Sequence, residues 1–175
     1  MSEPSKFFFV LGVNHKVQGE SNFPGTFVDP DYDKVVRDII SSKGIDFVGE
    51  EGGDHTTIAE RITQELLGAG HYLNVEPENR SEHRIGETYD GYKLPSASGG
   101  EFDVLRWMVA ENEKRERIWV DHLIEKTTST GLLICGFYHA FSVAAKLLDR
   151  GFDVEARTYL PYDKLCSHTH TGKAT

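Results

Sequence analysis

Short, continuously apolar runs recur along this chain, each separated from the next by a stretch with helical periodicity. Phe7-Phe8-Phe9-Val10-Leu11, closed by Gly12, is the first; Ile45 to Val48, Tyr72 to Val75, Leu132 to Cys135 and Phe152 to Val154 follow. A run without polar alternation suits a strand covered on both faces. Between them, Val35, Val36, Ile39 and Ile40 make a helical stripe after Asp29-Pro30, with Lys43-Gly44 as its stop. Asp54 is the expected N-cap of a second helix carrying Ile58, Ile62, Leu66 and Leu67. Glu101 to Thr128 reads as one long helix, and Ala140 to Arg150 as another with Ala144, Leu147 and Leu148 inward. Strands alternating with helices imply crossover connections, and hence an α/β fold: a mainly parallel β-sheet flanked by helices on both faces.

At 175 residues the chain fits a single domain. The expected division is one α/β domain over residues 1–161, with a long polar loop at 76–100, and a flexible tail at 162–175. No internal repeat or linker interrupts it. The formal net charge of −9 argues against a nucleic-acid partner, which needs clustered Lys and Arg. Two cysteines, Cys135 and Cys166, make no disulfide framework, and Cys135 reads as a small buried thiol. The Phe7 to Leu11 run is too short for a signal or a membrane span, so no membrane is expected and the cytoplasm is the default compartment. Oligomeric state is open, a homodimer included.

Two strands end in one four-residue pattern, Gly12-Val13-Asn14-His15 and Gly136-Phe137-Tyr138-His139. A glycine there lets the backbone turn sharply off the strand, and the histidine lands on the rim where parallel sheets bind ligands. Ile45 to Val48 delivers Glu50-Glu51 to the same rim. If the sheet is parallel, His15, His139 and Glu50 or Glu51 converge. A lone histidine in such a place is more often a hydrogen-bonded loop residue; the repeated spacing beside an acid favours a site. Two imidazoles and a carboxylate suit a divalent ion (Zn, Mn, Co or Fe) held by His15, His139 and Glu50. Without metal, a His beside a Glu is a competent general base.

On the long helix, Leu105, Met108, Trp119 and Leu123 share a face that Asn112 and Arg115 interrupt. A guanidinium on a core-facing stripe needs an anionic partner, Glu50 or Glu51 or a substrate group, unless its head snorkels to water. Arg117 belongs to the solvated face. Candidate substrate contacts are His55, Arg80, Asn112 and Tyr138. Arg80, Glu82, His83 and Arg84 read first as solvated charge, and Cys166-Ser167-His168-Thr169-His170 as an incidental chelator.

These residues resemble the TraB/TIKI, ChaN and erythromycin-esterase-like superfamily. The likeness rests on the paired Gly-x-x-His motifs at His15 and His139, the strand-end Glu50 with Glu51 adjacent, and Arg115 in Arg115-Glu116-Arg117-Ile118-Trp119. The helix ending in Leu147-Leu148-Asp149-Arg150-Gly151-Phe152-Asp153-Val154 is similar too. The resemblance implies a parallel-sheet core with a pocket at the strand ends. Members of that superfamily include metal-dependent proteases, metal-independent esterases and haem-binding proteins. This chain is shorter than several of them, lacks their inserted helical domains, and has no glutamate inside Gly12-Val13-Asn14-His15. The expectation is a hydrolase acting on a small molecule or peptide, catalysed by His15, Glu50 or Glu51, His139 and Arg115. The rival class is a non-catalytic binding or sensor module, with haem or a small anion in the same pocket.

Overall fold

The structure is a computed structural model that describes residues 6–19, 29–52, 56–76 and 101–161, with side chains of the last stretch described from Val109 onward. Asp54, His55, the Arg80 cluster, most of the 76–100 loop, Leu105, Met108 and the 162–175 tail lie outside the described residues or side chains.

Five strands, β1 (Phe7–Val13), β2 (Phe47–Glu50), β3 (Tyr72–Asn74), β4 (Thr130–Gly136) and β5 (Asp153–Tyr159), form one sheet in the order β3-β2-β4-β1-β5. Every pairing is parallel. The helices are α1 (Pro30–Lys43), α2 (Ile58–Leu66), α3 (Glu101–Lys126) and α4 (Ala140–Asp149). The expected α/β architecture is the observed one.

Alternation along β1 divides the core. Phe9, Leu11 and Val13 pack with Tyr32, Val36, Ile39 and Ile40 of α1 and Ile58, Ala59 and Ile62 of α2. Phe8 and Val10 point the other way, onto Trp119, Val120 and Leu123 of α3 and Ala140, Val143, Ala144 and Leu147 of α4. Cys135 is fully buried in that second layer. Both faces of the central strands are thus covered, which is why their sequences carry no polar alternation.

Local chemistry sets the helix ends. The Asp29 side chain accepts from Asp31 N (3.1 Å), Pro30 takes the first helical position, and Gly44 (φ 62°) closes α1 by donating to Ile40 O. The cap of α2 is Thr57 rather than Asp54: its Oγ1 accepts from Glu60 N at 3.0 Å. Thr57-Ile58-Ala59-Glu60 carries the Thr-x-x-Glu spacing of a capping box, a stronger signal than an acid after two glycines. Leu148, expected inward, is exposed, as is Leu66 on α2. On α4 the stripe at 140, 143, 144 and 147 already fills the contact with the sheet, and Leu148 falls off its edge. β5 runs to Tyr159, well past the apolar Phe152 to Val154, because as an edge strand it keeps Glu155, Arg157 and Thr158 among its residues.

The topology fixes where a site can form. Chain leaving β1 and β2 passes to the α1/α2 face, whereas chain leaving β4 passes to the α3/α4 face. Since β4 lies between β2 and β1, connections diverge on both its sides and a crevice opens at its carboxyl end. Among the described residues, no helix is long and apolar enough to cross a membrane.

Candidate active site

The two Gly-x-x-His motifs meet at that crevice. Val13 and Gly136 are register partners, and Phe137 N donates to Val13 O at 2.9 Å. Beyond Val13, Asn14 caps a 3-10 turn over His15–Val17 by accepting from Lys16 N at 3.0 Å. Gly12 and Gly136 serve a different purpose from the expected sharp turn. Both lie within their strands with ordinary negative φ, the positive-φ glycines among the described residues being Gly44, Gly68 and Gly151. What they supply is close approach. A Cβ on Gly12 would stand 2.7 Å from Ala140 Cβ, and one on Gly136 would stand 2.7 Å from His15 Nε2 and 3.3 Å from Glu51 Oε2. The His15 ring thus rests on the bare Cα of the second motif. Gly136→Ala should displace the imidazole while costing no more than about 1–3 kcal/mol of stability; unchanged His15 NMR resonances in that variant would contradict the packing.

Glu51, rather than Glu50, is the carboxylate the motifs share. Its Oε1 accepts from Arg115 Nη2 (2.7 Å), and its Oε2 accepts from Gly136 N (2.8 Å) and lies 3.6 Å from His15 Nε2. Burial alone would push this carboxyl up. The imidazoles of His15 and His139, the Gly136 N–H and the Arg115 guanidinium outweigh it, holding Glu51 below its ordinary range. Both histidines act on one carboxylate, as convergence at a single rim requires.

Arg115 is buried, not snorkelled. Besides Glu51 it donates from Nε to Glu76 Oε1 at 3.1 Å and from Nη2 to the same oxygen, and its guanidinium lies 4.9 Å from the centre of the Trp119 ring. Burial opposes its charge, but Glu76 and Glu51 raise it above the ordinary arginine value. Asn112 Oδ1 is a distant acceptor for Arg115 Nη1 at 3.5 Å. Arg117 is on the solvated face as expected.

Glu50 is turned into the α1/α2 layer, where it accepts from Gln18 Nε2 (2.8 Å), Thr57 Oγ1 (2.5 Å) and Tyr72 OH (2.9 Å). It has no solvent exposure, and burial lifts its carboxyl from 4.5 to about 7 against the pull of those donors. With both oxygens committed, it does not fit the expected metal set with His15 and His139. Glu51 already accepts from a guanidinium on one oxygen and from a backbone N–H on the other. Among the described residues no group of three His, Cys, Asp or Glu is arranged to hold a metal ion.

His139 has a partner the sequence did not reveal. Its Nδ1 lies 2.7 Å from Glu116 Oε1, and its ring meets Trp119 edge-to-face at 5.1 Å. Glu116 Oε2 accepts from Ser142 Oγ (2.6 Å) and Lys146 Nζ (2.8 Å). Burial raises that carboxyl, but His139, Lys146 and Ser142 bring it below its ordinary range. A carboxylate can only accept, so Nδ1 of His139 carries the hydrogen and Nε2 is left for proton transfer. Glu116 sits one residue past Arg115, and a helix turns about 100° per residue; the two side chains therefore straddle Trp119. Gln18, Glu76 and Glu116 all went unmarked in the sequence. Only Glu116 had a findable signal, being an acid one turn before a buried Trp. Tyr138 is exposed and stacked on Phe137 at 3.9 Å, outside the cluster.

The comparisons with known proteins add nothing to this geometry: no family model matches the chain, and no curated protein or solved structure matches it significantly.

Proposed function

We propose that the chain is a hydrolase in which the His139–Glu116 pair takes a proton from water and the His15–Glu51 pair supplies one to the leaving group. The carrying observation is that each imidazole is oriented through Nδ1 by a side-chain oxygen, at 2.7 Å for His139 and 2.6 Å for His15, beside one buried carboxylate. An oriented imidazole backed by a carboxylate is the arrangement that general-base chemistry needs.

In this reading, neutral His139 accepts a proton at Nε2 as water oxygen attacks an acyl carbon, and Glu116 stabilises the imidazolium formed. His15, half-exposed at the mouth, gives the proton on its Nε2 to the departing oxygen or nitrogen while Glu51 balances its charge. The proton held on His139 returns through solvent to His15, completing the cycle. Arg115 is a positioning residue: its Nε and Nη2 donors go to Glu51 and Glu76, so it keeps the acids in place.

The test is hydrolysis of a panel of 4-nitrophenyl acyl esters by untagged protein. His139→Gln should lower kcat/KM about 10²-fold with little change in melting temperature. If the wild type and both single His→Gln variants turn the panel over equally, the reading is wrong. Stoichiometric divalent metal that disappears in His15→Ala or His139→Ala would replace it with a metal-centred one. A Soret band on haem titration without turnover would replace it with a binding module.

A further inference from the structure

We propose that Gln18 is a positioning residue that locks the hydrogen of His15 on Nδ1, so that every proton His15 trades passes through Nε2. The proposal deepens the role given above to His15, but its first readout does not depend on that role. Gln18 is almost fully buried, and both hydrogens of its amide are assigned: Nε2 donates to Glu50 Oε1 at 2.8 Å and to the main-chain oxygen of Glu51 at 3.2 Å. The amide cannot be flipped without setting its oxygen against the main-chain oxygen of Glu51, which only accepts, so Oε1 is the atom 2.6 Å from His15 Nδ1. An amide oxygen only accepts. The ring nitrogen facing it therefore carries hydrogen whether His15 is neutral or charged, and the exchangeable position is Nε2, 3.6 Å from Glu51 Oε2.

The amide is itself held from several sides. Gln18 N donates to His15 O at 3.3 Å, closing the 3-10 turn, and Gln18 O accepts from Ile58 N at 2.9 Å. Gly19 and Thr57 form an isolated bridge that ties the same turn to the start of α2. Glu50, the acceptor for one amide hydrogen, is in turn fixed by Thr57 and Tyr72. Gln18 thus spans from the α2 cap to the rim histidine, hydrogen-bonding Glu50 and His15 at once. The two histidines are oriented by unlike partners, a carboxylate for His139 and an amide for His15. A neutral partner fixes which nitrogen bears hydrogen without adding a second negative charge beside Glu51.

The experiment is 15N NMR of the imidazoles in full-length protein labelled at histidine, read across the pH range where the rings stay folded and neutral. Wild type should show His15 with Nδ1 protonated and Nε2 bare. Gln18→Leu should shift that population toward the Nε2-protonated form and, if the hydrolase reading holds, lower kcat about tenfold with KM little changed. Gln18→Glu keeps an oxygen acceptor opposite Nδ1 and should restore the Nδ1-protonated form. A wild-type spectrum with hydrogen on Nε2, or a Gln18→Leu spectrum identical to wild type, overturns the proposal. Should Gln18→Leu fail to fold, the wild-type spectrum alone still decides. Absence of turnover in all variants with the tautomer behaving as stated would overturn the hydrolase reading and leave the lock standing.

Discussion

Arg115→Met is expected to cost about 3–5 kcal/mol of folding stability in urea titrations at pH 8. The guanidinium stands between two carboxylates whose side chains are each only 4% exposed, Glu51 and Glu76. Removing it takes from both the guanidinium that offsets their charge, in a place where water can repay little of the loss. The chain can relax by protonating one acid, so the cost should shrink as pH falls toward 5. Replacing all three groups, with Glu51→Gln and Glu76→Gln added, should recover most of the stability, because a neutral buried set avoids the desolvation that the ion pairs offset. A single-variant loss under about 1 kcal/mol, as for a surface pair, would mean that the triad does not hold α3 against the end of β2.

Glu50 should make the fold lose stability as pH rises through neutrality. Its carboxyl is lifted from 4.5 to about 7, so between those values the unfolded chain releases a proton that the native state retains. The contribution is fully present below the unfolded value and is gone once pH has passed about 7. A difference of that size is worth roughly 3 kcal/mol. The groups facing Glu50 are Thr57, Tyr72, Gln18 and, at longer range, Tyr32 and Glu60. The opposite slope at lower pH comes from Glu51, Glu116, Asp33 and Asp46, whose carboxyls are held down and which cost stability as they protonate. Glu50→Gln should flatten the neutral limb and be more stable than wild type at pH 8, its amide hydrogens facing the Thr57 and Tyr72 hydroxyls. Stability curves that run parallel in the two proteins from pH 5 to 8 would rule this out.

The sheet and its order of elements were legible because burial on both faces leaves runs such as Phe7 to Leu11 and Leu132 to Cys135 without polar residues. The rim was legible because strand direction carries His15, Glu51 and His139 to one edge regardless of side-chain detail. What stayed hidden was which face each neighbour turns to. Glu50 and Glu51 look interchangeable in the sequence, yet successive residues at a strand end point to opposite layers, and only the position of α3 makes Glu51 the partner of Arg115. Gln18 and Glu76 are polar residues in irregular chain, where no periodicity reports on contacts. β5 was read short because an edge strand tolerates Glu155 and Arg157 along its length.

The ties that join different elements at the crevice span long stretches of chain: 23 residues from Glu116 to His139, 32 from Gln18 to Glu50, 64 from Glu51 to Arg115 and 85 from Glu51 to Gly136. None can close early, since each must first overcome the entropy of a large loop. During synthesis the amino-terminal histidine waits, without its companions, until β4 has emerged and paired beside β1. The cluster is therefore complete only once β4 is in place, because a segment ending before it holds His15 and Glu51 without His139.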